Sequence, residues 1–539
     1  MMRPALTAAL IVAIAAAIAT AGEATIYTPD NAPAAPRLED LPLQASVSQY
    51  GITWTFAQPA RVGRFVNGDY YVVGPVTVAA IDPAPRYGDA VADDELDAYE
   101  KSRGQYLRVA DRVRNGSMLN PPAAQRAAYD SGIKNWFRPE LAVKLPIAMA
   151  PGDSLVSTIS LAVGEKAATP YTGHRGGITC TRAHSDDSPV RVAAVLTCMD
   201  APQPADALRP SFYGTDKTVY LARNLKRHLL RSLERPKGIC RSEGYSAANH
   251  PPSDPPRAEN LPKIEFWTRV FQRPWVNPGL FGFEQPMENM PHYGQWVGQA
   301  MSMGGLMLMC DYTPAEKEPL LINMVQVGID YWGAVRGGHP GWQGWGGHGS
   351  GRKFPIVFAG LMLGDETMAS PTKAYPGCNF GEDNQTMYGD CWTGAKVVFA
   401  GHSGMHNDGS IPRPQWGPYE HLHPSQWQGG NQTSEAYRRA NSSSSWVGQA
   451  LILRLLGAEK QWGHDAFFDY MDRWMYEDDA ASRRVLHEHR PSLGGALISD
   501  EGSWFHQGQA WEPFVTEMWA MYRTAPGMPP IDGWKTARQ

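Results

Sequence analysis

TPAEKEPLLINMVQVGIDY, residues 313–331, decides the fold class. Thr313-Pro314-Ala315-Glu316 is a capping box with proline at the first helical position. Leu320, Leu321, Met324, Val327, Gly328 and Tyr331 then continue on one face at helical spacing. The same period recurs downstream. One helix is expected from about Phe354 to Leu363 with Gly364 as its stop. Trp446, Val447, Ala450, Leu451, Leu455 and Leu456 stripe another, ended by Gly457. Phe467 to Met475 and Trp511 to Tyr522 add two more. No fixed-period repeat is visible, which excludes a simple solenoid. Helices joined by alternating short and long connections predict an α/α toroid, an incomplete barrel, over residues 263–530.

Upstream the period changes to two. Ile52 to Phe56 alternates, and Asn67-Gly68 between Arg64-Phe65-Val66 and Tyr70 to Val73 is a hairpin signal. Val76-Thr77-Val78, Ala142 to Leu145, Leu155 to Leu161 and Val190 to Leu196 are further strand candidates. A mainly β domain is therefore expected over 47–246, preceded by an extended segment, 22–46. The Pro- and Ser-rich stretch 247–262 reads as a linker. Met1-Met2-Arg3, the small and apolar run from Ala5 to Ala17, and Ala19-Thr20-Ala21 fit a signal peptide over 1–21. The chain is then expected to be secreted or periplasmic, with no membrane span after signal removal. Export permits disulfides, and Cys180–Cys198 and Cys378–Cys391 are candidate bridges.

A formal net charge of −5 gives no global positive field, so nucleic acid is not an expected partner. Of 15 His and 18 Trp, eleven and sixteen lie after residue 250. Seven of those His and four of those Trp lie in the glycine-rich loops GFEQPMENMPHYG (282–294), GGHPGWQGWGGHGSGRK (337–353), NQTMYGDCWTG (384–394), GHSGMHNDG (401–409) and GPYEHLHPSQW (417–427). Loops on a rigid scaffold are where binding and catalysis usually sit. Aromatic faces mixed with Asn, His, Arg and Tyr suit an acidic polysaccharide.

Cleavage of a polyuronate by β-elimination requires the C6 carboxylate to be neutralised, the C5 proton removed and O4 protonated. Amide, imidazole and guanidinium donors can do the first, and a Tyr or His the other two. Asn289 is a candidate for the amide, with a helix cap as its ordinary role. His348, Arg352 and Lys353 lie in a glycine-rich turn before an apolar helix, where backbone can approach an anion. Tyr388 offers a phenol, and His421 with His423 two imidazoles. Tyr293, Trp342, Trp392, Arg438 and Arg439 complete the candidate substrate-binding set. His402 and His406 add to a possible metal set, but no HExxH or Cys-x-x-Cys spacing appears, so no metal or other cofactor is expected.

The motifs ENMPHYG, GGHGSGRKFPIVFAG, YGDCWTGAKVV and GPYEHLHPSQW resemble polysaccharide lyase family 38, which includes glucuronan and alginate lyases, over roughly residues 265–520. The resemblance implies an α/α toroid and metal-independent elimination by Asn289, His348, Arg352, Tyr388 and His421, with Tyr293 and His292 as substitutes for Tyr388. Glucuronan is the first substrate expected and mannuronate-rich alginate the second. In both polymers the C5 hydrogen and the C4 oxygen share a face, so one tyrosine can serve as base and then acid. A toroidal glycoside hydrolase is the competing reading, with its carboxylate pair drawn from Glu284, Glu288, Glu382, Asp383, Asp390 and Glu420. A non-catalytic carbohydrate-binding protein is the third.

Overall fold

Alternating and continuous apolar runs build one large sheet. The computed structural model describes residues 24–87, 114–123, 138–161, 166–167, 178–179, 190–236, 263–276, 286, 288–291, 294–344, 346–401, 419–491 and 507–537. Its first strands are β1 (Leu43–Gln49), β2 (Ile52–Arg64), β3 (Tyr70–Val73), β4 (Val76–Asp82), β5 (Ser117–Leu119), β6 (Ile147–Met149) and β7 (Ser154–Ser160). A short hairpin of β8 (Lys166–Ala167) and β9 (Ile178–Thr179) precedes β10 (Val190–Met199). The order is β5-β7-β10-β3-β2-β4-β6, with β1 paired to β2 off this path, and the sheet curls as a half-barrel. The β10–β3 pairing is parallel and the others in this sheet are antiparallel. Asn67-Gly68 turns β2 into β3 as expected, with Arg64 opposite Tyr70. Ala142 to Leu145 form no strand; the pairing edge comes later, at Ile147.

Helices follow: α1 (Ile264–Gln272), α2 (Gly294–Met309), α3 (Pro314–Arg336), α4 (Lys353–Leu363), α5 (Glu366–Ala369), α6 (Pro371–Ala374) and α7 (Gly381–Gln385). After them come α8 (Gly429–Tyr437), α9 (Ser443–Leu455), α10 (Glu459–Trp462), α11 (Asp465–Tyr476), α12 (Asp479–His489) and α13 (Pro513–Tyr522). Two-stranded pairs interrupt them: β11 (Gly341–Trp342) with β12 (Asn379–Phe380), and β13 (Thr386–Tyr388) with β14 (Val397–Phe399). The capping box at α3 forms: Glu316 N–H donates to Thr313 Oγ1 at 3.3 Å, and Thr313 N–H donates to Glu316 Oε2 at 2.7 Å. Thr313→Ala should cost about 1 kcal/mol of stability, read from urea unfolding.

The expected α/α toroid behind a separate mainly β domain is overturned. Such a toroid stacks consecutive helix hairpins, whereas here α2 packs most extensively on α9, far along the chain. The close approach is made by small residues: a Cβ on Gly448 would lie 2.4 Å from Ser302 Cβ. The sheet is not a domain of its own either. Residues alternate across β7 and β10, so Leu155, Ile159, Val192, Ala194 and Leu196 fill one core with Trp54 and Val72. Val156, Ala193 and Val195 face the other way, into the core that the helices build. Arg209 ties the layers, with Nε on Asp69 at 2.6 Å and Nη2 on Asp330 of α3 at 2.6 Å.

The expected Cys378–Cys391 bridge is absent, for both thiols are free and buried, and Cys198 is free as well. Cys391 Sγ instead sits 3.1 Å from Arg473 Nη2. Cys180, the signal segment and the linker lie outside the described residues. Among the described residues no helix is long and apolar enough to cross a membrane.

Candidate functional site

Glycines in the segment before α4 let a turn, Gly346–Gly351, be threaded between four neighbours. A Cβ on Gly294, where α2 begins, would fall 2.0 Å from His348 O. Gly381, at the start of α7, passes so close that its Cβ would meet Gly349 C at 3.1 Å. Gly346 O accepts from Gln385 Nε2 and from Ser442 Oγ, both at 3.0 Å. Ser350 Oγ accepts from Trp446 Nε1 at 2.9 Å. Gly294, the end of ENMPHYG, residues 381–385 ahead of YGDCWTG, and Ser442 therefore pack on the turn of GGHGSGRK. His348 is half-buried at their junction.

Arg352 and Lys353 turn inward. Arg352 is 1% exposed, and its Nη1 donates to His348 O at 3.0 Å and Ser350 O at 2.8 Å. Burial pulls its guanidinium below the ordinary arginine range, against the opposing pull of Tyr331 and Glu382. Lys353 pairs with Asp383 and donates to Trp462 O at 2.6 Å. Asn289 is buried, and its Nδ2 donates to Val270 O and Arg273 O, both at 3.2 Å, closing the C-terminal end of α1. Its role there is a cap on α1, rather than on the following helix, which begins at Gly294. Trp342 is fully buried and stacks on His339 at 4.4 Å.

Tyr388 ends β13 half-buried, and its OH donates to Asp469 Oδ2 on α11 at 2.8 Å. His464, just before α11, places Nε2 2.9 Å from Thr386 O and 3.0 Å from Thr386 Oγ1. His421 is exposed beside the next residue along, where a Cβ on Gly389 would meet its Nε2 at 2.8 Å. Neighbouring residues of an extended strand point to opposite faces, so Tyr388 and His421 flank the strand end. His421 and His423 do not share one extended side. Residues 419–422 form a turn, and His423 Nδ1 accepts from Ser425 N–H as a cap. Trp392 and His489 meet the His423 ring at 5.8 Å and 5.1 Å, an aromatic group at the surface.

Arg438 and Arg439 lie in a π-helical turn, Arg438–Ser442, and are buried. Both bind Glu435, with Arg438 bidentate at 2.9 Å on each nitrogen and Arg439 Nε at 2.5 Å. Arg439 also reaches Asp479 at 2.8 Å, and Arg438 reaches Gln507 Oε1 at 2.6 Å. Next to them Glu420 is clamped by Arg473 at 2.7 and 2.9 Å. This is a buried network of cations and acids, shaped to hold the junction together.

Sequence reasoning missed Asp469 and His464. Both lie in or beside an amphipathic helix whose apolar stripe draws the eye to its other face. Of the carboxylates considered for a hydrolytic pair, Glu288 pairs with Arg273, Asp383 with Lys353, Asp390 with Lys396 and Glu420 with Arg473. Glu382 is buried behind the glycine turn. Tyr293, His292, His402, His406 and Glu284 lie outside the described residues. Among the described residues no group of three His, Cys, Asp or Glu side chains is set to hold a metal ion. No family model matches the chain, and neither does any curated protein or solved structure.

Proposed function

We propose that the chain is an exported polysaccharide lyase that breaks a β-1,4-linked polyuronate, glucuronan first and mannuronate-rich alginate second, by β-elimination. The reading is supported above all by the packing of the His348 turn on Gly381 and Gln385, which lead directly into the strand that ends at Tyr388 with its bond to Asp469. The four short motifs that resemble polysaccharide lyase family 38 support it as local sequence, although the α/α toroid that the resemblance implies is not the fold found. In this reading His348 donates to the C6 carboxylate as negative charge builds at C5. Asn289 and Arg352, whose donors go to backbone carbonyls, hold α1 and the turn in place.

Tyr388 moves the proton. A phenol with an ordinary pKa near 10 is a weak base at neutral pH. Here its hydroxyl already donates to a carboxylate, which gives its proton a place to go. As C5–H breaks, that proton passes to Tyr388 Oη while the phenol's own proton passes to Asp469. The C5 electron pair forms the C4–C5 double bond, the C4–O4 bond breaks, and O4 takes a proton from Tyr388. Asp469 then returns its proton to the phenol. No water is consumed.

Glu382 favours a second reading in one respect. Burial pushes its carboxyl up to about 7, the range a glycosidase general acid needs. Its complete burial, however, keeps it off a glycosidic oxygen. Incubation with glucuronan, mannuronan and polyguluronate should give ultraviolet-absorbing unsaturated ends from the first two. Saturated reducing ends carrying solvent oxygen would make the protein a hydrolase, and polymer binding with no product would make it a binding protein.

A further inference from the structure

Behind the glycine turn sits a carboxyl that the elimination scheme leaves idle. Glu382 Oε1 accepts the N–H of Gly351 at 2.6 Å, while its Oε2 is buried without a hydrogen bond among the described residues. On the other side of the turn, Arg352 holds the carbonyls of His348 and Ser350, and its Nε is likewise buried without a hydrogen bond among the described residues. The peptide units from 348 to 351 are thus gripped by an acid on an N–H and a cation on two carbonyls. Neither charge enters an ion pair among the described residues. Gly351 has φ +83°, and a Cβ there would lie 2.5 Å from Gly298 N, so the turn has little room for another path.

A buried, singly bonded carboxyl is costly unless its position is used. We infer that Glu382 is a positioning residue: its hydrogen bond to Gly351 fixes the turn conformation in which His348 meets the substrate's carboxylate. What His348 does there rests on the lyase reading; the control of the turn does not. The charged groups around Glu382 are Asp383 and Lys353, which pair with each other, and Arg352 across the turn, which itself faces the Tyr331 phenol. Burial is the largest influence on the carboxyl and raises it, and Asp383 adds to this, while the Gly351 N–H and Lys353 oppose it. The bond to Gly351 therefore passes from neutral to charge-assisted, and stronger, as pH rises through neutrality.

Two probes that need no substrate test this. One is the Gly351 amide resonance in glycine-labelled full-length protein, followed across pH. The other is the rate at which diethyl pyrocarbonate modifies His348, read by peptide mass mapping. In the wild type the Gly351 amide should move with a single inflection near neutrality. Glu382→Gln, whose carbonyl can still accept, should flatten that profile and keep the His348 rate close to wild type. Glu382→Leu should release the amide and change the His348 rate by about ten-fold, the equivalent of one hydrogen bond to a charged group. A Gly351 amide indifferent to pH, or the same inflection in Glu382→Gln, overturns the proposal, and so does an unchanged His348 rate in a folded Glu382→Leu. Should the leucine variant fail to fold, the glutamine comparison still decides. Absence of unsaturated product from the wild type would instead strike the lyase reading alone, because both probes report without turnover.

Discussion

Turnover of the Tyr388→Phe variant on glucuronan should fall by about 10²- to 10⁴-fold, the range that a positioned proton-transfer group contributes. Polymer affinity should stay near wild type. The phenylalanine ring fills the same half-buried space at the end of β13, so the loss is confined to one oxygen. That oxygen is the only part of Tyr388 that can take the C5 proton or return one to O4. Its removal also strips Asp469 of the donor 2.8 Å away. Asp469→Asn separates proton relay from mere orientation. An amide can still accept the phenol's hydrogen bond but cannot store its proton, so this variant should fall with Tyr388→Phe. Initial rates by ultraviolet absorbance and retardation in polyuronate-containing gels provide the two readouts. A Tyr388→Phe enzyme that keeps about a tenth or more of the wild-type rate would move the proton transfer to another group.

Local chemistry was legible in the sequence wherever it acts within a few residues. The Thr313–Glu316 box, the Asn67-Gly68 turn and the stops at Gly364 and Gly457 all sit where their residue types predict. Both glycine stops are left-handed, at φ 73° and φ 67°. What pairs with what was not legible. Helix α2, GQWVGQAMSMGGLMLM, is buried on every side, so it carries no stripe, and its glycines read as breakers although they serve close packing. The run VRVAAVLTCM of β10 does speak to this: a continuous apolar strand is covered on both faces, which argues against a sheet packed as a domain of its own. At the site, the sequence reads the glycines of 346–353 as letting backbone approach an anion, and what the structure brings against that backbone is Gly294, Gly298 and Gly381. It could not tell that Arg352, Lys353, Arg438 and Arg439 point inward, because a guanidinium reads the same whether its partner is a substrate or Glu435. The partners decide that, and they come from distant segments.

The joint between sheet and helices gives the largest stability effect. Arg209→Met should cost about 3–5 kcal/mol, since it leaves two buried carboxylates without their cation. Arg209 is fully buried, and Asp69 and Asp330 are 1% and 2% exposed. Asp69 keeps hydrogen bonds from Gln49 Nε2 and Asn67 Nδ2, both 2.9 Å, whereas Asp330 loses both of its guanidinium contacts. The pH dependence has a definite sign. Burial already pushes the Asp330 carboxyl up to about 6, with Arg209 pulling it down. Without Arg209 it rises further above its unfolded value. A carboxyl raised in the folded state costs stability only where the unfolded chain has ionised, and the variant's added cost arises only above about 6, where the wild-type carboxyl ionises and the variant's stays protonated, so it grows as pH rises from there and closes below it. Urea unfolding at neutral pH and at about pH 4.5 should therefore show a deficit that narrows in acid. Because Val156, Ala193 and Val195 lie in the same core as the helices, wild type and variant should each unfold in one transition that includes the sheet. A deficit below about 1 kcal/mol at neutral pH, the worth of an exposed ion pair, would mean that Arg209 does not join the layers. A separate early transition confined to the β-sheet signal would mean that the sheet and the helices are stable apart.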